Sequence, residues 1–214
     1  MKLKLYHHFI TIMKRLFFLI TLLSVFELGL SAQNAGRAKQ ILDQTSAVLS
    51  NKGGASAQFT ITTPGVGTTT GQITIKGNKF TATTPKAAIW YDGKTQWTYM
   101  SKTEEVNVSN PDESQQAQMN PYKFITLYKN GYRLGMKETN GGYEIHLTAL
   151  NRGRSIQEMF ITINKSYIPT NVRLKEGKQW STITISNYKS SNVDDRVFTF
   201  PSKDYPNAEL IDLR

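Results

Sequence analysis

The chain has 214 residues, no cysteine, 11% aromatic residues and a formal net charge of +10. That length suits one ordinary domain with its own core, and the missing cysteine excludes a disulfide framework, a thiolate metal site and a thiol nucleophile. Basic residues are scattered, as at Lys76, Lys79, Lys94, Lys123, Arg133 and Arg173, so they read as solvated strand faces, with attraction to anionic lipid surfaces as the functional alternative.

At the start, Lys14-Arg15 precedes LFFLITLLSVF, an apolar run of 11 residues, and small residues follow up to Ser31-Ala32. This is the pattern of a secretory signal peptide. The run is shorter than the ~20 residues a spanning helix needs, and Glu27 interrupts its far end. Residues 1–32 are therefore expected to be removed near Ala32-Gln33, with Met1 or Met13 as the start. Residues 33–214 then form one exported, soluble domain that no cysteine anchors to lipid. Export disfavours nucleic acid as a partner.

GRAKQILDQTSAVLSN follows, with Ile41, Leu42, Thr45, Val48 and Leu49 at helical spacing on one face. This predicts an amphipathic helix over residues 36–51. Beyond it, period two takes over. Phe59 and Ile61, Ile73 and Ile75, and Val106 and Val108 alternate with polar neighbours. The alternation resumes at Leu134 and Met136, at Tyr143, Ile145 and Leu147, and at Met159, Ile161 and Ile163. It ends with Ile168, Val172 and Leu174, then Ile183 and Ile185. With FTATT and the two arms around Asp92-Gly93, the pattern predicts about eleven strands, separated by turns such as Gly77-Asn78, Asn140-Gly141-Gly142 and Glu176-Gly177.

Two segments interrupt the series. TTPGVGTTTG, residues 62–71, reads as a loop rich in Gly and Thr. Between Asn110 and Gly131, Pro111 and Pro121 favour helix starts, and Phe124, Ile125 and Tyr128 give a short apolar face, so one or two short helices are expected. About eleven antiparallel strands with one apolar face curl. Periodicity leaves two outcomes open: a closed barrel filled by its own side chains, or an open barrel with an apolar cavity under the helices.

Chemistry finds little purchase. His146, the one histidine after the leader, alternates with Ile145 and Leu147 and so lies on the wet face. Nucleophilic triads and histidine metal clusters are thereby disfavoured. Glu104-Glu105 would point to opposite faces, Asp194-Asp195 looks like a turn, and no phosphate-binding glycine loop opens a helix. No enzyme activity, cofactor or metal is expected. The aromatics say more. A two-residue turn at Asp92-Gly93 puts Ala88, Trp90, Thr95, Trp97 and Tyr99 on one face and Lys94, Gln96 and Thr98 on the other. Because the lysine marks the opposite face as wet, the aromatic face is expected to point inward; an outward one would suggest a carbohydrate-binding platform.

The runs ITIKGNKFTATTP, AAIWYDGKTQWTYM and EEVNVS resemble the periplasmic outer-membrane lipoprotein carriers of the LolA type. Asp92, Gly93, Lys94, Thr95, Trp97 and Tyr99 match the family's Asp-Gly-Lys-Thr-x-Trp-x-Tyr motif in place. NPYKF, residues 120–124, resembles the family's middle helix, and VFTFP, residues 197–201, its closing strand. The resemblance covers about residues 36–201. It implies a mainly β fold: an open, incomplete antiparallel barrel of about eleven strands with helices as a lid over a hydrophobic cavity.

It also implies a monomeric carrier that takes acylated lipoproteins from an inner-membrane transporter to an outer-membrane acceptor. A lipid carrier or lipid sensor of the same fold is the alternative. On this reading the cavity is lined by Ile73, Ile75, Phe80, Trp90, Trp97, Tyr99, Leu134, Met136, Ile145 and Ile161, and the lid helix contributes Ile41, Leu42, Val48 and Leu49. The chain departs from the family at Gly77, where members carry a lid-latching arginine; Lys76 precedes it.

Overall fold

A computed structural model describes residues 33–50, 52–112 and 126–214. Helix α1 covers residues 33–49, slightly earlier than its apolar stripe predicts. Its buried face carries Ala38, Ile41, Leu42, Thr45 and Leu49. At its end the Ser50 hydroxyl donates back to the Ser46 carbonyl at 2.6 Å, taking up one of the carbonyls that a helix terminus leaves open.

Twelve strands follow: β1 (Ala55–Thr63), β2 (Gly67–Lys76), β3 (Lys79–Thr83), β4 (Ala87–Tyr91), β5 (Gln96–Met100), β6 (Glu105–Ser109), β7 (Tyr132–Thr139), β8 (Gly142–Ala149), β9 (Ile156–Asn164), β10 (Pro169–Glu176), β11 (Gln179–Ser190) and β12 (Glu209–Asp212). They form one open sheet in the order β12-β6-β5-β4-β3-β2-β1-β11-β10-β9-β8-β7. Two antiparallel meanders, β1 to β6 and β7 to β11, are welded by the β1–β11 pair. The first eleven strands correspond to those read from period two, and the fold is the open form. The twelfth pairs in parallel with β6.

Three expectations need correction. Most of TTPGVGTTTG is strand: Gly67 to Gly71 pair with Thr63 to Phe59, leaving a short turn at Pro64–Val66. The β-branched threonines suit an extended ladder, and Thr62 and Thr68 join hydroxyls across it at 3.1 Å. VFTFP is not a strand. Asp195–Phe198 is a 3-10 turn capped by Asp194, whose side chain accepts from the Arg196 amide, and Thr199–Pro201 has no regular structure before a second 3-10 turn at Ser202–Asp204. Finally, the β4–β5 hairpin encloses four residues, since Tyr91 pairs with Gln96. The Asp92 carboxylate holds this loop by accepting from the amides of Lys94 and Thr95 at 2.9 and 2.8 Å. Two extra residues leave strand parity unchanged, so Trp90, Trp97 and Tyr99 still share a face.

The helices expected between Asn110 and Gly131, NPYKF included, fall mostly outside the described residues, as does the leader; a 3-10 turn at Leu127–Lys129 lies within them. Among the described residues no helix is long and apolar enough to cross a membrane.

Two cores form on the sheet. In one, Ala38, Ile41 and Leu42 of α1 pack on Ile145, Leu147, Met159, Ile161, Ile163, Val172 and Leu174 of β8 to β10. Each such large aliphatic side chain contributes roughly 1.5–3 kcal/mol on burial. In the other, Ala88, Trp90, Val106 and Val108 of β4 and β6 are buried with Phe200 of the C-terminal segment. Cross-strand register puts these cores on opposite faces.

Candidate functional site

Directly opposed residues of neighbouring strands share a face, so the inner face can be traced strand by strand from α1. Ile145 opposes Ile161, Ile161 opposes Val172, and Val172 opposes Ile183. Ile183 and Ile185 oppose Ile61 and Phe59. The same face continues through Ala57 to Ile73 and through Ala55 to Ile75, then through Ile75 to Phe80 and Phe80 to Tyr91. It turns polar at β5 and β6, where Gln96 and Thr98 oppose Ser109 and Asn107.

Coverage along this face is uneven. Under α1, Ile145 and Ile161 are fully buried. Beside it, Phe59, Ile61, Ile73, Ile75, Ile183 and Ile185 are only half-buried. They form a continuous apolar strip across β11, β1 and β2, with the buried Phe80 and Tyr91 rings, 5.6 Å apart, at its margin. Gly71 keeps a place open in the strip. A Cβ there would lie 2.4 Å from Phe59 Cζ, so the absent side chain is what lets the Phe59 ring lie across the ladder.

The expected cavity residues thus divide. Ile73, Ile75, Phe80, Leu134, Met136, Ile145 and Ile161 share the α1 face. Trp90, Trp97 and Tyr99 do not, and the inward placement of that aromatic group is corrected. Tyr91 takes the inner position opposite Phe80, which sends Trp90 outward. Lys94, used to mark the wet face, sits in the loop and marks neither. The outward aromatics are not a free platform either. Trp90 packs edge-on against Phe200 at 5.3 Å and Tyr205 at 5.5 Å, and Tyr99 lies 4.6 Å from Tyr205. Phe59, Ile61, Tyr91, Ile183 and Ile185 were legible as strand residues but not as part of one surface.

The helix that flanks the strip is tied down at several points. The Tyr128 hydroxyl donates to Asp43, and Arg37 pairs with Glu138. Asn34 Oδ1 accepts from the Met136 amide at 3.0 Å, which also occupies a backbone donor of the edge strand β7. Hydrogen bonds from Lys39 and then from Tyr128 hold the Asp43 carboxyl below the usual aspartate range. Of the expected lid residues, Ile41, Leu42 and Leu49 are buried and Val48 is half-buried.

Gly77 is the first central residue of a two-residue turn closed by the pair Lys76 and Lys79, with φ of 58°. That left-handed position favours glycine. Lys76 points to the outer face, where its ammonium donates to the Val193 carbonyl at 2.8 Å and meets Asp195 at 2.9 Å; Lys79 takes the other Asp195 oxygen at 3.0 Å. Lys76 therefore secures the C-terminal segment and makes no contact of this kind with α1.

His146 lies on the outer face as expected, stacked on Phe160 at 4.2 Å and bonded to Glu158 at 2.9 Å. Among the described residues no group of three or more His, Asp or Glu side chains is placed to hold a metal ion.

An open antiparallel sheet with an apolar inner face, half covered by one helix, defines a helix-lidded half-barrel. The family model described as outer membrane lipoprotein carrier protein LolA matches residues 28–178, and the chain belongs to that family. The match ends at the β10–β11 turn, so the C-terminal segment lies beyond it. No curated protein matches the chain. Among solved structures, an uncharacterized conserved protein from Thermus thermophilus is similar with a TM-score of 0.55 and 16% identity, over 82% of this chain and 99% of that one. A LolA superfamily protein from Nitrosomonas europaea has 14% identity and a TM-score of 0.43 over 76% and 97% of the two chains. The Mycobacterium tuberculosis lipoprotein LppX has 14% identity and a TM-score of 0.39 over 73% and 98%.

Proposed function

We propose that the protein is a periplasmic carrier, exported by a cleaved signal peptide, that shields the acyl chains of lipoproteins against its inner face. The observation that carries this reading is the half-buried strip of Phe59, Ile61, Ile73, Ile75, Ile183 and Ile185 beside α1. In this reading Phe80, Leu134, Met136, Ile145 and Ile161 extend the ligand surface when α1 lifts. Exposing a sixteen-carbon chain to water costs roughly 12 kcal/mol, at about 0.8 kcal/mol per CH2, so cargo needs such cover to cross an aqueous gap. Apolar contacts are non-directional, which suits varied cargo and release to a better apolar site. An inner-membrane transporter as donor and an outer-membrane acceptor complete the cycle, with the carrier acting as a monomer and catalysing nothing.

Mass spectrometry of species that copurify with the native protein tests this. Acylated peptides are the expected result. Free lipid alone would make the protein a lipid carrier or sensor of the same fold, and no bound species after exposure to lipoprotein would remove the reading.

A further inference from the structure

Antiparallel topology sends one set of turns to each end of the barrel. One end gathers the β1–β2, β3–β4, β5–β6, β8–β9 and β10–β11 turns. Its apolar tips are unusually bare: Val66 is 81% exposed, Leu150 65% and Met100 39%. Exposed Lys86, Lys102, Arg152 and Lys178 stand beside them. Among the described residues none of these four cations has an ion-pair partner. Glu104 and Glu176 are the carboxylates nearest in the chain, and Glu105 and Glu209, paired at the starts of β6 and β12, lie at the same end. Arg154 is half-buried, with its guanidinium 5.0 Å over the Tyr132 ring.

These turns form a continuous rim. Ser101 of the β5–β6 turn donates to the Lys86 carbonyl at 3.0 Å. The β3–β4 turn neighbours β1–β2 in the strand order, and Gln179 beside Lys178 donates to the Pro64 carbonyl at 2.7 Å. The β8–β9 turn, with Leu150 and Arg152, comes next. Cationic and apolar tips therefore alternate around the rim. The opposite end carries charge of both signs, Asp92, Asp112, Asp194 and Asp195 beside Lys52, Lys76, Lys79, Lys94, Lys165 and Arg196, but there Lys76, Lys79 and Arg196 are paired to Asp195 and Asp194, and α1 is fastened towards it through Glu138.

Apolar side chains flanked by unpaired cations on one rim are complementary to an anionic bilayer, whose phosphates attract the cations while the headgroup layer takes up the apolar tips. We propose that the protein docks directly on anionic membrane surfaces through this rim, with Val66, Met100 and Leu150 entering the headgroup layer and Lys86, Lys102, Arg152 and Lys178 meeting lipid phosphates. The inference stands apart from cargo capture, which copurification reads separately.

The experiment is cosedimentation of the protein recovered from the cell, with one N-terminus common to all variants. The vesicles are phosphatidylcholine with and without phosphatidylglycerol. Binding is expected only with phosphatidylglycerol, and to fall as salt rises. Lys102→Glu with Lys178→Glu should weaken it by roughly fivefold or more per site, and Val66→Asp with Leu150→Asp should also weaken it. Lys94→Glu with Lys165→Glu, at the far end, should change it little. Binding that ignores phosphatidylglycerol, survives the rim variants or responds equally to the far-end pair would overturn the proposal; no vesicle binding would do the same.

Discussion

Phe80 and Tyr91 stand directly opposite each other in the β3–β4 ladder, their rings 5.6 Å apart, and this pairing assigns Trp90 to the outer face. The consequence is experimental. Ile75→Glu, on the half-buried inner strip, is expected to abolish copurification of acylated species with the circular dichroism spectrum unchanged. Trp97→Glu, on the outer face, should leave copurification intact in whatever fraction folds. Loss of cargo from folded Trp97→Glu would return the ligand site to the outer aromatics.

Trp90 acts through the C-terminal segment. With 6% of its surface exposed and two aromatic partners from that segment, its replacement by Ala should cost about 3–5 kcal/mol. Thermal melting measures this. Phe200→Ala should lower the midpoint comparably, and the double variant should lose less than the sum, because the rings share one contact.

Tyr128 and Asp43 join the 3-10 turn before β7 to the middle of α1. Tyr128→Phe is expected to lower stability by about 1 kcal/mol and to speed amide exchange across residues 33–49. An unchanged exchange rate would mean that the ties at Arg37 and Asn34 hold α1 without it.

Acid should loosen the C-terminal segment. Hydrogen bonds from Lys76 and then Lys79 depress the Asp195 carboxyl below the ordinary value of 3.8. Its folded-state pKa is thus lower than its unfolded one, so its stabilising effect is complete above that ordinary value and fades as pH falls through the depressed one. Tryptophan emission should shift red over this range as Trp90 and Trp97 lose cover, and Asp195→Asn should remove part of the pH dependence. Asp194, held at about 2 by its bonds from Arg196, starts from the same ordinary value, so its contribution begins to fade at the same pH and goes on fading down to about 2, and an asparagine there should also flatten the pH dependence.

Legibility in the sequence followed the range of the interaction. Alternation of Ile145 and Leu147 with polar neighbours is a local pattern, and it located β8 as similar patterns located ten other strands. The stripe from Ile41 to Leu49 located α1 in the same way. Glu209–Asp212 shows no alternation, because its two apolar residues, Leu210 and Ile211, are adjacent and only Ile211 is even half-buried, and its pairing with β6 reaches back about a hundred residues. The candidate site was partly legible. Seven of its expected residues share the inner face, but that Ile183 meets Ile61 and Ala57 meets Ile73 is a fact of register between distant strands.

Sequence by itself determined which residues travel together: the parity that groups Trp90 with Trp97 and Tyr99, the turns that make neighbouring strands antiparallel, and the one-sided helix. Only the tertiary structure decided which group faces inward. In β4 both faces are apolar, Ile89 and Tyr91 on one and Ala88 and Trp90 on the other, so alternation carries no direction there. The choice falls to whatever covers each face. Phe200 and Tyr205 arrive from the C-terminal segment to bury the tryptophan side, while α1 packs on the opposite face of the sheet over β8 to β10; both are long-range hydrophobic contacts, invisible to any local window.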